Sequence, residues 1–228
     1  MNSQQISMCE IMRTALKLFA QNGYTKTGIR QIADGAGVSL GLINHYFISK
    51  KNLGSQALGL FWNHVTKQAE CYVDLEEDPL LFDAVVTRGL NQFMLGGTFR
   101  RFYLDSLTED IFFDDLSTRP NRTLDLLRTH YAFPQDRDLV LLYNRYVPYN
   151  IEKTLILKKE EGMFASIPYE DIPYHICLSA LERFVPKEEI SRADQAGREI
   201  VPRLLADLPE MPSEELIQSY IASLLHAE

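Results

Sequence analysis

From Gln5 to Gln21 the apolar residues Ile11, Met12, Ala15, Leu18 and Phe19 recur every three or four positions, and strict apolar–polar alternation persists nowhere in the chain. That period gathers the apolar side chains on one face of an α-helix and leaves no pattern from which a half-buried strand could be built. The fold class expected is therefore all-α. Asn22-Gly23 ends the first helix as a left-handed cap, and Tyr24 supplies the apolar contact that accompanies such a cap.

The same reading continues along the chain. Thr27 is placed to cap a short helix whose inner face holds Ile29, Ile32 and Ala33, closed by Gly35 or Gly37. Ser39 caps a third short helix carrying Leu42, Ile43 and Tyr46, and Ser49 a long fourth one reaching about Asp74. Asp78-Pro79 opens a helix to about Leu95, which Gly96-Gly97 breaks. Further helices are expected over Thr98–Phe113, Ser117–His130 and Asp136–Glu161. Pro148 should kink the last of these and Gly162 ends it. Tyr169–Val185, Lys187–Leu208 and Ser213–His226 complete the set.

Composition narrows the class. With 228 residues, 46% hydrophobic and 24% charged, the chain can bury a sizeable core. It has no apolar run of about 18 residues, so no membrane span is expected. No basic n-region with an apolar h-region opens it, so no signal peptide is expected. Cys9, Cys71 and Cys177 are few and far apart, which suits free, buried thiols in a reducing cytoplasm. His45, His64, His130, His175 and His226 show no metal-ligand spacing, so no metal or cofactor is expected. The net charge of −8 argues against a nucleic-acid-coating protein, but its distribution does not. Residues 1–53 carry Arg13, Lys17, Lys26, Arg30, Lys50 and Lys51 against Glu10 and Asp34, a net +4 that leaves −12 on the rest.

Two short helices joined by a tight Gly-containing turn fit a helix-turn-helix. In its DNA-binding form the second helix enters the major groove. Val38, Ile43 and Phe47 can pack inward, while Ser39, Leu40, Gly41, Leu42, Asn44 and His45 can point outward. Gly41 would let backbone approach DNA closely. Lys50 and Lys51 sit at a helix N-terminus, against the dipole, which suggests an anionic partner such as phosphate.

The residues that carry a resemblance are Ala15, Leu16, Phe19, Gly23, Tyr24 and Thr27, then Ile29, Arg30, Ile32 and Ala33. Ala36, Gly37, Val38, Ser39 and Gly41 follow, then Tyr46, Phe47, Ser49, Lys50 and Leu53. Together they make residues 10–60 resemble the DNA-binding domain of the tetracycline-repressor (TetR) family. The remainder agrees with that family only in helical character and length. The resemblance implies an N-terminal three-helix helix-turn-helix DNA-binding domain (1–53) and a C-terminal helical effector-binding and dimerisation domain (54–228). It implies a cytoplasmic homodimer that binds a palindromic double-stranded DNA operator and is released by a small-molecule effector. Motion would travel along the helix from Ser49.

By the same resemblance Thr27 and Arg30 belong to the DNA-binding set, Thr27 as helix cap and phosphate contact. Ser39, Leu40 and Leu42 would face bases, and His45, Tyr46 and Lys50 would grip the backbone. Asn44 stands where the family usually has tyrosine; it could read adenine or make a shorter phosphate contact. Leu42 replaces a small hydroxyl residue and could meet a thymine methyl.

The acidic two-thirds is less explicit. Leu178, Leu181 and Phe184 on one late helix, and Ala193, Gly197, Ile200 and Leu204 on the next, make stripes fit for a four-helix dimer interface or for an intramolecular core. Phe99 and Tyr103, with Tyr143, Tyr146 and Asn150 beside Pro148, could line an effector pocket or only the core. Asp105, Glu109, Asp110, Asp114 and Asp115 form either a solvated face or the approach to a cationic ligand. No nucleophile motif, P-loop, GxGxxG or HExxH supports an enzyme. The remaining alternatives are an enzyme or a helical interaction module on the same scaffold without DNA binding.

Overall fold

Several helix starts in the computed structural model fall where small polar side chains close them. The structure describes residues 2–111, 121–133 and 136–225. Helix α1 (Ser3–Asn22) begins in a reciprocal cap: Asn2 Oδ1 accepts from the Gln5 amide at 2.8 Å, and Gln5 Oε1 accepts from the Asn2 amide at 3.0 Å. α2 (Ile29–Ala36) and α3 (Leu40–Phe47) are short; Ser39 caps α3 by accepting from the Leu42 amide. α4 (Lys50–Ala69) starts at Ser49, whose hydroxyl accepts from the Asn52 amide, and ends earlier than the expected Asp74. α5 (Pro79–Gly96) starts on Asp78 and stops at the glycine pair.

α6 (Arg100–Thr108) is shorter than expected, and the expected end near Phe113 lies outside the described residues. α7 (Arg122–His130) is capped by Asn121; the expected start at Ser117 also lies outside them. The expected helix with a kink at Pro148 is divided into α8 (Arg137–Leu141), a π-helical turn over Leu142–Tyr146, and α9 (Val147–Glu160). Pro148 has no N–H and its ring crowds the carbonyl four residues back. The wider π-turn accommodates both. A 3₁₀ turn (Tyr169–Asp171) leads into α10 (Ile172–Leu181). α11 (Lys187–Asp207) and α12 (Glu214–Leu225) follow, with Ser213 capping the last. The expected end at His226 lies outside the described residues. No strand occurs among them, and no helix is long and apolar enough to cross a membrane.

The chain divides into two compact units. Unit 1 comprises Met1–His64, Met94–Asp115 and Pro209–Glu228; unit 2 comprises Val65–Phe93 and Leu116–Leu208. Unit 1 is built on an aromatic core. Phe19 stacks on Phe102 with centroids 4.7 Å apart and planes 6° from parallel, and Phe61 tilts against Phe99 at 4.4 Å. The buried face of α1 is Met8, Cys9, Ile11, Met12, Ala15, Leu16 and Phe19. Leu16, not the half-buried Leu18, continues the stripe, because the 3.6-residue period drifts. Unit 2 buries Leu80, Ala84, Leu127, Phe133, Cys177, Leu181, Val185, Ile190 and Ala193 in one cluster.

That cluster takes up part of the expected dimer stripes. Leu181, Ala193 and Leu204 are buried within a single chain, and Gly197 faces Val85 and Ala84 of α5. Leu178 and Phe184 pack on the same cluster, and Ile200 is half-buried. Within the chain these stripes pack against α5 and α7, with Leu178, Phe184 and Ile200 only partly covered. Cys71 is also corrected, being exposed where Cys9 and Cys177 are buried.

Candidate nucleic-acid interface

The head of unit 1 is held from three directions. α2 packs on α1 and α3 on α2, with Ile32, Ala33, Ile43 and Phe47 buried between them. The turn after α1 is clasped by α6: the Thr25 amide donates to Asp105 Oδ2 at 2.7 Å. Gly23 makes that possible, since a Cβ there would stand 2.7 Å from Arg101 Cγ and 2.8 Å from Asp105 Oδ2. The third support is the C-terminal helix. Arg13 of α1 donates to both carboxylate oxygens of Glu214, and the Tyr220 hydroxyl donates to Gln56 Oε1 at 3.0 Å in a buried bond. Sequence reasoning missed both clasps, because nothing local marks partners 80 and 201 residues apart.

On this frame α3 turns one side outward. Ser39, Gly41, Asn44 and His45 are exposed, Leu40, Leu42 and Tyr46 are half-buried, and Arg30 is exposed on α2. Tyr46 and His45 rings lie 5.1 Å apart. Gly41 is not demanded by the chain: a Cβ there meets nothing nearer than Ser39 Oγ at 3.8 Å. The helix thus presents hydrogen-bonding and aromatic groups and carries no acidic side chain of its own, which suits a duplex groove.

Two expected contacts change. Thr27 is buried, and its hydroxyl donates to the Gly23 carbonyl at 2.6 Å. The α2 cap is Gly28, whose amide donates to Gln31 Oε1, so Thr27 neither caps α2 nor reaches a phosphate. Lys50 is half-buried, with its ammonium 4.0 Å above the Tyr24 ring centroid. Burial lowers its pKa, while the charges of Asp105 and Glu109 act the other way. Lys50 is therefore tied to the α1–α2 turn instead of reaching outward. Burial, aided by the charge of Glu109, pushes the Tyr24 hydroxyl to about 12, so the ring stays neutral under its cation. In the expected acidic run, Asp105 belongs to the clasp, Glu109 is exposed, and Asp114 and Asp115 lie outside the described residues.

Ile48, at the end of α3, is 78% exposed with φ 59° and ψ −48°. The Ser49 amide donates to the Phe47 carbonyl across it, closing a γ-turn of the strained hand. A β-branched side chain there costs free energy and buries nothing. Ile48→Gly should raise stability by about 1 kcal/mol in urea unfolding; a loss would mean the side chain contributes packing.

The expected effector residues fall in different units. In unit 1, Phe99 and Tyr103 are buried core, Phe99 against Phe61. In unit 2, Tyr143 sits edge-on to Phe184 at 5.7 Å, while Tyr146 and Asn150 are exposed, the Asn150 amide donating to the Tyr146 carbonyl. Among the described residues no group of three or more His, Cys, Asp or Glu could hold a metal.

Residues 11–56 match the family model described as bacterial regulatory proteins, tetR family. The HTH-type transcriptional repressor KstR2 of Mycobacterium tuberculosis is 34% identical over 71 residues, 31% of this chain and 36% of the relative. The chain thus matches about a third of that protein's length. Solved structures aligned with the chain include a gamma-butyrolactone receptor (ArpA-like protein), 15% identical over 88% of this chain and 98% of the other, with TM-score 0.39. Another is the TetR family repressor AlkX from Dietzia sp., 12% identical over 88% and 96%, with TM-score 0.37. Scores this low do not bear on function.

Proposed function

We propose that the chain, whose residues 11–56 match the tetR family of bacterial regulatory proteins, is a transcriptional repressor that reads a palindromic operator as a homodimer and releases it when a small molecule binds. The observation that carries this reading is the outward face of α3. Ser39, Gly41, Asn44 and His45 are exposed, as is Arg30 of α2, within residues 1–53, which carry a net +4 on an acidic chain. The family is a class of DNA-binding regulators, not of enzymes.

Unit 1 suggests how release would work. α6 touches the head through Asp105 and Thr25 and through the Phe102–Phe19 stack. A displacement of α6 would tilt α1 and with it α3, and two heads set for half-sites about a helical turn or more apart would lose register. Selection of bound duplexes from a random pool tests the reading: a two-fold symmetric consensus supports it, and no enriched sequence overturns it.

For the dimer surface, the buried stripes of α10 and α11 leave a different candidate. Leu139, Leu142 and Tyr146 are 44%, 42% and 40% exposed, spaced for one face of α8 and the π-turn. Two-fold pairing of that stripe would cover it. Leu142→Asp with Tyr146→Glu should convert dimers to monomers in light scattering, and a variant that stays dimeric rules the surface out.

A further inference from the structure

We propose that Asn91 and Arg88 form the polar anchor of a ligand site in unit 2, and that the ligand is an uncharged molecule with one carbonyl or hydroxyl on an apolar body. The inference rests on the regulator reading for its purpose and deepens it by naming the class of effector.

Arg88 and Asn91 lie one turn apart on one face of α5, each 1% exposed. Neither amide atom of Asn91 has a hydrogen-bond partner among the described residues, and neither does Arg88 Nε. Buried side-chain polar atoms are nearly always paired, so three orphans on one helix face call for a partner that the described residues do not supply. Ala84, Val85 and Val86 on the same helix are buried as well, and a Cβ on Gly89, between the two residues in sequence, would meet Leu204 Cδ2 at 3.7 Å, so the packing along this stretch of α5 is apolar. The Thr66 hydroxyl is a fourth orphan. It follows Val65, which meets α5 at Gly89, where a Cβ would lie 3.0 Å from Val65 Cγ1.

Charge decides the class. Arg88 already pairs with Asp194 through Nη2 and donates to the Glu170 carbonyl through Nη1 at 2.5 Å. Asp194 also accepts from Arg198 Nε at 2.9 Å, and Arg198 pairs with Asp171 at 2.8 Å. These two cations and two anions pair with one another. A carboxylate ligand would bury a further, unmatched charge, whereas a neutral carbonyl can accept from Asn91 Nδ2 and Arg88 Nε at no such cost. Asn91 Oδ1 remains to accept from a hydroxyl or N–H beside that carbonyl.

The test uses the full chain and two probes of equal size, propionamide and propionate. The side-chain amide resonances of Asn91 are assigned by their loss in Asn91→Leu or, should leucine overfill the site, in Asn91→Ala. Propionamide should shift them saturably and propionate should not. No saturable shift, or an equal shift with propionate, overturns the proposal. The titration needs no DNA, so it separates the two readings. A protein that binds propionamide but enriches no duplex sequence keeps the site and loses the regulator.

Discussion

Gly23→Ala should cost about 3 kcal/mol and take DNA binding with it. Gly23 holds φ 76° and ψ 177°, a region open essentially to glycine alone, and forcing another residue there costs about 1–3 kcal/mol. The new methyl would also stand 2.8 Å from Asp105 Oδ2 and 2.7 Å from Arg101 Cγ. Asp105 would have to swing away and leave the Thr25 amide unpaired, about 1 kcal/mol more. For a chain of this size the melting point should fall by about 10 °C. Calorimetry checks the first part. The second is specific: because the turn sets how α2 and α3 leave α1, binding should fall further than the unfolded fraction accounts for. A variant that is destabilised yet binds in proportion to its folded fraction would show that the clasp holds the fold but does not orient the head.

Arg88→Met should cost about 3 kcal/mol. The guanidinium is 1% exposed and its partner Asp194 is 8% exposed. Removing one member of a buried pair leaves the other uncompensated, typically at about 3–5 kcal/mol. The lower end applies because Asp194 keeps Arg198. The double variant Arg88→Met, Asp194→Leu should recover most of the loss, since both buried charges then go together. Urea unfolding of the two single variants and the double completes the cycle. A double variant as unstable as the sum of the singles would mean that Arg88 acts chiefly through the Glu170 carbonyl.

What the sequence revealed was what neighbours in the chain decide. The α1 stripe, the stop at Asn22-Gly23, the Ser39 and Ser49 caps and the break at Gly96-Gly97 all depend on residues within one or two turns, and all are legible. Thr27 misleads because a threonine before a helix has the composition of a cap whether its hydroxyl faces the helix or, as here, the Gly23 carbonyl. The stripe through Ala193, Gly197 and Leu204 is real, but periodicity shows that a face is apolar and not whether its cover is a second chain or α5. Lys50 reads as a phosphate contact until Tyr24 lies under its ammonium. Arg88 and Asn91 are invisible for a related reason. They interrupt an apolar helix, and only burial, with the Asn91 amide and the Arg88 Nε left unpaired, separates them from ordinary surface polar residues.

The central claim, that the outward face of α3 reads DNA sequence, is tested most directly by equilibrium binding across a salt series. Wild type and the variant Asn44→Ala, His45→Ala are compared on the selected duplex and on a scrambled one of equal length. The account predicts that wild-type affinity for both falls steeply with salt, as phosphate contacts require. It further predicts that the variant loses roughly tenfold or more on the selected duplex and far less on the scrambled one. Equal affinity of the wild type for the two duplexes, or a variant that binds the selected duplex as tightly as the wild type, would contradict it.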